Sequence, residues 1–108
     1  MRKIINGFRY DTEKARLLVD VSEGSTSDFS YVRYGLYRTP RGYWFIGGWG
    51  GPMSRFAQPA GSNSWVGGER IIPLSPVEVL DVVEGLQASY DVDQVFDFPE
   101  IKSLLHEA

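Results

Sequence analysis

Two aromatic-rich runs, SYVRYGLYRT at 30–39 and YWFIGGW at 43–49, meet at the turn TPRG, and this pairing constrains the fold more than any other feature of the chain. β-Branched and aromatic side chains favour strands. Pro40 fixes φ at the start of a turn, and Gly42 is free to take the left-handed position that closes a hairpin. With Thr39 facing Tyr43, the register sets Arg38 against Trp44, Leu36 against Ile46 and Tyr34 against Gly48 on one face. Tyr37 against Phe45, Gly35 against Gly47 and Arg33 against Trp49 then share the other. Cross-strand neighbours lie within side-chain reach, so each glycine leaves a gap that an adjacent aromatic can cover. The run GGWGGP at 47–52 lacks the terminal Gly-Lys-Ser/Thr of a phosphate loop. It reads instead as a strand that bends or bulges and leaves the sheet at Pro52.

The flanks are punctuated by turn chemistry. RKIINGFRYD places Asn6-Gly7 between two short strand-like runs, the signature of a tight hairpin. Asp11-Thr12-Glu13 caps a brief helical turn, and ARLLVDV follows as a strand, with helix over Ala15 to Leu18 as the competing reading. SEGSTSD at 22–28 is a loop. MSRFAQPAGSNSWVGG at 53–68 reads as a long surface connection, with Trp65 expected to fold back over the sheet edge. ERIIPLS supplies a strand whose proline argues for an edge or terminal position. Ser75-Pro76-Val77-Glu78 then has capping-box spacing with proline at the first helical position. Val79, Leu80, Val83 and Leu86 form one apolar stripe behind it. One or two short helices follow, with Val95, Phe96, Ile101, Leu104 and Leu105 turned inward. The expected architecture is α+β: an antiparallel twisted sheet of about four to five strands, built from two hairpins and packed against C-terminal helices. It forms one domain over 1–108, β-rich at 1–74 and helical and acidic at 75–108.

Composition narrows the chemistry. A chain of 108 residues builds one modest core. The sequence has no cysteine, which removes disulfides, thiolate metal sites and cysteine nucleophiles. No apolar run approaches the ~20 residues of a membrane helix, and MRKIINGFRYD has no signal-peptide hydrophobic region; a cytoplasmic protein is expected. The single histidine, His106, lies near the end of the sequence. No nucleophile elbow, Ser-His-Asp order or zinc spacing occurs. The expectation is a non-enzyme with no cofactor and no metal.

Charge is divided along the chain. Residues 1–70 carry ten Lys/Arg and six Asp/Glu, net +4, while residues 71–108 carry one lysine and eight Asp/Glu, net −7. Such an imbalance steers charged partners. The acidic end, with Asp81, Glu84, Asp91, Asp93 and Asp97, offers carboxylates to a basic partner, and Trp49 and Trp65 are candidate anchors. The other candidate surface is the sheet. Arg33, Arg38 and Arg41 interleave with Tyr37 and Trp44, a pattern that stacks bases and neutralises phosphates, so nucleic-acid or small-ligand binding is the alternative reading. Self-association through a free sheet edge is a third.

Several segments together resemble one group of proteins: KIINGFRYDTEKA at 3–15, SDF at 27–29, LYRTPRGYWFIGGWGGPMSRFAQPAG at 36–61 and GGERIIPLSPVEVLDVVE at 67–84. They are similar to small bacterial proteins carried by phages, plasmids and integrative elements, with an I-I-N-G-x-x-Y-D-T start, an L-Y-R-T-x-x-G-x-W-F hairpin and an I-x-P-L-S helix entry. The likeness covers about three quarters of the chain. Gly47-Gly48-Trp49 departs from it where a more polar strand end is expected, and the helix over Val79 to Val83 is less charged. The resemblance implies a mobile-element accessory protein acting in the bacterial host cell. On that implication the partner is a host defence complex such as a CRISPR–Cas effector, inhibited in anti-CRISPR fashion by occlusion or nucleic-acid mimicry.

Overall fold

The structure is a computed structural model that describes residues 1–25, 29–60 and 64–108. Its centre is an antiparallel sheet of β3 (Arg16–Glu23), β4 (Val32–Arg38), β5 (Trp44–Gly50) and β8 (Gly68–Leu74), in that spatial order. A hairpin of β1 (Arg2–Ile5) and β2 (Phe8–Asp11) and a two-residue ribbon of β6 (Gln58–Pro59) and β7 (Trp65–Val66) complete the strands. Helices α1 (Pro76–Leu86), α2 (Asp93–Phe96) and α3 (Pro99–Lys102) follow. The fold is α+β.

The local chemistry acts where the sequence places it. Asn6 and Gly7 both have positive φ, 52° and 81°, as the tight turn between β1 and β2 requires. Gly42 takes φ 90° in the β4–β5 turn, where the Thr39 amide donates to the Tyr43 carbonyl at 2.7 Å. Register runs unbroken from Val32 opposite Gly50 to Arg38 opposite Trp44. The expected bulge is therefore not in β5 but in β3, between Leu17 and Val19. Asp11 holds the turn before β3: its Oδ1 accepts from the Glu13 amide and its carbonyl from the Lys14 and Ala15 amides. Arg16 onward is strand rather than helix, and the strand runs through Ser22 and Glu23 before Gly24 (φ 82°) ends it. The expected loop at 22–28 thus begins two residues late, and its residues 26–28 lie outside the described residues.

The sheet's two faces bury different things. Val19, Val21, Tyr34, Leu36, Trp44 and Ile46 face the helices and form the main core with Val79, Val83, Leu86, Val95 and Ile101. Tyr10 from the β1–β2 hairpin covers Phe45 and Ile71 on the opposite face, with Tyr37 and Ile5 alongside. Alternation along each strand makes this division possible. Only one end of the second face is covered by the hairpin.

The glycine corner is a packing device. A Cβ on Gly48 would collide with the Arg33 carbonyl and Tyr34 Cβ, and one on Gly50 with the Ser54 hydroxyl and Phe56. The missing side chains let residues 51–57 fold back beneath the sheet, where Phe56 is fully buried and its ring lies 6.0 Å from that of Tyr34. Phe56 is the exception within the expected surface connection, of which residues 61–63 lie outside the described residues. Trp65 departs in the other direction: it stands 60% exposed on β7, not folded over the edge.

Both edge strands are covered at points where a further strand would pair. On β3 the Tyr90 hydroxyl accepts from the Ser22 amide at 3.1 Å and donates to the Ser22 carbonyl at 2.7 Å. β8 is indeed an edge strand with Pro73, and the Gln58 side-chain amide Nε2 donates to the Glu69 carbonyl at 3.4 Å. Such devices oppose edge-to-edge association. At the C-terminus Val95 and Ile101 are buried and Phe96 and Leu104 half-buried, but Leu105 is 44% exposed. Helix α3 stops at Lys102, leaving the next turn without a facing element to bury Leu105.

Candidate binding surfaces

The acidic residues sit where helical periodicity turns them outward. In α1 the buried side chains are Val79, Val83 and Leu86, which leaves Asp81 and Glu84, three apart, side by side on the solvent face. In α2 the inward Val95 sends Asp93 and Asp97 out, and Asp91 is exposed just before them. Among the described residues none of these five carboxylates is in an ion pair. The Asp91 Oδ1 accepts from the Asp93 amide at 3.2 Å. Glu78 is engaged differently: its carboxylate accepts from the Ser75 amide at 2.9 Å while the Ser75 hydroxyl accepts from the Glu78 amide at 3.3 Å. Those bonds hold the Glu78 carboxyl below its ordinary range. Lys102 is the one cation after residue 70; from the sheet, Arg38 reaches this layer to pair with Glu100, and Arg16 to bond Gln94 beside Asp97.

Trp49 does not join that layer. It lies on the face opposite the helices, 41% exposed, with its ring 5.4 Å from that of Tyr31. The two rings border an open groove of about 420 Å³ that also takes in Leu17, Asp20, Arg33 and Tyr37. Gly35 and Gly47 form its floor, and the predicted covering is seen there: a Cβ on Gly35 would fall 2.6 Å from both Leu17 Cδ1 and Tyr37 Cε2. Tyr37 also stacks on Phe45, 5.1 Å away at 11°. Burial raises its phenol above the ordinary value and the Asp20 charge adds to that. Trp65 is exposed on its two-residue ribbon, and Trp49 and the carboxylates lie on opposite sides of the sheet.

The alternative set is divided as well. Arg38 and Trp44 point toward the helices. The Arg38 Nε and Nη2 donate to the two Glu100 carboxylate oxygens at 3.1 and 3.0 Å, and the guanidinium lies 4.4 Å from the centre of the Phe98 ring. Trp44 is buried, with Phe98 edge-on at 5.4 Å, and its indole N–H has no hydrogen-bond partner among the described residues. Arg33 and Tyr37 lie on the opposite face and Arg41 at the exposed tip of the β4–β5 turn. No single face collects the five. Arg38 is a structural cation whose partner is 62 residues away in sequence, a pairing for which the sequence carries no local signal. Tyr31 as the neighbour of Trp49 was within reach of the sequence, since the antiparallel register extends one pair past Val32 and Gly50.

Among the described residues no three His, Cys, Asp or Glu side chains are grouped to hold a metal ion, and no helix is long and apolar enough to cross a membrane. No family model, curated protein or solved structure matches this chain.

Proposed function

We propose that this chain is a non-enzymatic protein-binding module of a mobile genetic element, inhibiting a bacterial defence complex in anti-CRISPR fashion. The helical layer carries the contact: Asp81, Glu84, Asp91, Asp93 and Asp97 stand in solvent, unpaired among the described residues. Unpaired carboxylates on a net-negative layer project a field that attracts a basic, nucleic-acid-binding channel and hastens encounter with it. Occupying that channel displaces the nucleic acid. The resemblance read from the sequence supports this class of target, and the exposed carboxylates support the mechanism. Trp65, exposed on its ribbon, is a separate anchor.

The test is inhibition of target-DNA binding by purified, guide-loaded CRISPR effectors. The native chain is compared with a variant bearing Asp81→Lys, Glu84→Lys, Asp91→Lys, Asp93→Lys and Asp97→Lys. The native chain inhibits at least one effector and weakens as salt rises, while the reversed variant fails at every salt concentration. Inhibition that survives both reversal and salt removes charge mimicry as the mechanism.

A further inference from the structure

A second site lies on the other side of the sheet from the helices, where the tip of the β1–β2 hairpin meets the β4–β5 turn. A cavity of about 350 Å³ opens there between Phe8, Arg9 and Tyr10 on one side and Thr39, Pro40, Arg41 and Tyr43 on the other, with Lys14 at its border. This size is within the ~300–1,000 Å³ typical of small-ligand sites. Its walls are aromatic: the Phe8 and Tyr43 rings meet at 4.9 Å and 48°, yet each side chain remains more than two-fifths exposed. Two cations border it from separate segments, Lys14 in the turn before β3 and Arg41 in the β4–β5 turn, while Arg9, between Phe8 and Tyr10 on β2, carries its side chain on the other face of the strand. Lys14 and Arg41 are exposed, and neither is in an ion pair among the described residues. Asp11 also borders the cavity, but its Oδ1 is committed to the Glu13 amide at 2.9 Å.

We propose that this cavity binds a nucleotide, with the phosphate held by Lys14 and Arg41 and the base against the exposed rings of Tyr43 and Phe8. A phosphate, with its near-double charge and several acceptor oxygens, matches two separated cations in a way that a single carboxylate does not. Exposed aromatic faces stack bases independently of sequence. The nucleotide is free in solution or one unit of a single strand. A route for a strand exists, because Arg9 also borders a shallow basic surface with Arg2 and Lys3. The site is separate from the acidic helical layer and does not depend on its role. Of the alternative residues read from the sequence only Arg41 belongs to it.

The isotope-labelled chain is titrated with adenosine monophosphate, adenosine, inorganic phosphate and an oligoadenylate of about ten nucleotides, following backbone amide resonances. Adenosine monophosphate is expected to shift residues 7–15 and 39–43 saturably and to bind about tenfold tighter than adenosine or phosphate alone. A Lys14→Gln, Arg41→Gln variant, altered only at exposed positions, weakens it by about tenfold or more. Arg33→Gln, in the separate groove, leaves it unchanged. If the source is a strand, the oligoadenylate binds tighter still and its shifts reach Arg2 and Lys3; if it is a free nucleotide, the oligoadenylate gains nothing over the monomer. Three results overturn the proposal: no saturable shifts in these two segments, phosphate alone matching the nucleotide, or Arg33→Gln weakening binding as much as the double variant.

Discussion

Two glycines, Gly48 in β5 and Gly85 in α1, illustrate how differently the same residue acts. At Gly48 an added methyl meets the Arg33 carbonyl and the Tyr34 Cβ, both fixed by the sheet. Gly48→Ala is expected to lose about 1–3 kcal/mol of stability, the range for overpacking a rigid interior. Gly85, inside α1, has nothing within 4 Å of its notional Cβ, so Gly85→Ala is expected to gain about 0.5–1 kcal/mol from helix propensity alone. Denaturant midpoints of the two variants, moving in opposite directions, check both. Arg38 supplies the other residue-scale test. Its two bonds to Glu100 and its position over Phe98 tie β4 to α3, and each side chain in the pair is about one-quarter exposed. Arg38→Ala therefore costs about 1–2 kcal/mol, more from lost packing and cation–π contact than from the half-screened ion pair. Arg38→Lys restores only part, since an ammonium cannot make the forked contact. Chemical denaturation resolves the three proteins.

At the scale of elements, α1 depends on its first turn. The reciprocal bonds of Ser75 and Glu78 satisfy two amides that the helix leaves open. Ser75→Ala is expected to cost about 1 kcal/mol in thermal or denaturant unfolding. The carboxyl of Glu78 is depressed in the folded chain, so its contribution is fully present above the unfolded value near ~4.3 and is lost as pH falls through the lower folded one. The stability difference between the native chain and Glu78→Ala thus disappears in acid and is constant at neutral pH. This helix entry was legible because capping is a local code, as were the Asn6-Gly7 turn and the full β4–β5 register. What escaped the sequence is nonlocal. Nothing near Phe56 says that it will be buried under Gly50, because the space exists only once residues 51–57 turn back beneath the sheet. Trp65 was misjudged because its neighbours form a ribbon away from the core, and Leu105 because the final helix stops short. The candidate carboxylates were placed outward by periodicity, whereas the arginine–aromatic set was read from one hairpin without knowing which face the helices would cover.

The whole molecule is electrically layered. The helices gather the acidic residues on one side of the sheet, where Arg16 and Arg38 reach Gln94 and Glu100, and the β1–β2 hairpin, carrying Arg2, Lys3 and Arg9, packs on the other. The layering turns a charge division along the sequence into a spatial one, and it predicts opposite responses from the two sides. Reversing the helical carboxylates abolishes the proposed inhibition and leaves the nucleotide cavity intact, whereas neutralising Lys14 and Arg41 does the converse; parallel inhibition and titration assays on the two variants read out both. Association through strand pairing is opposed by Tyr90 on β3 and by Pro73 and Gln58 on β8. Sedimentation equilibrium is expected to give no edge-paired dimer from the native chain, while Tyr90→Phe, which frees the Ser22 backbone, increases self-association.

The contact role of the helical layer is the central claim, and the most direct measurement is the salt dependence of binding to an inhibited, guide-loaded effector by the native chain and by the five-fold carboxylate reversal. The layered structure predicts an association rate for the native chain that falls steeply as ionic strength rises, and no measurable association for the reversed variant. Equal rates for the two proteins at every ionic strength would contradict it.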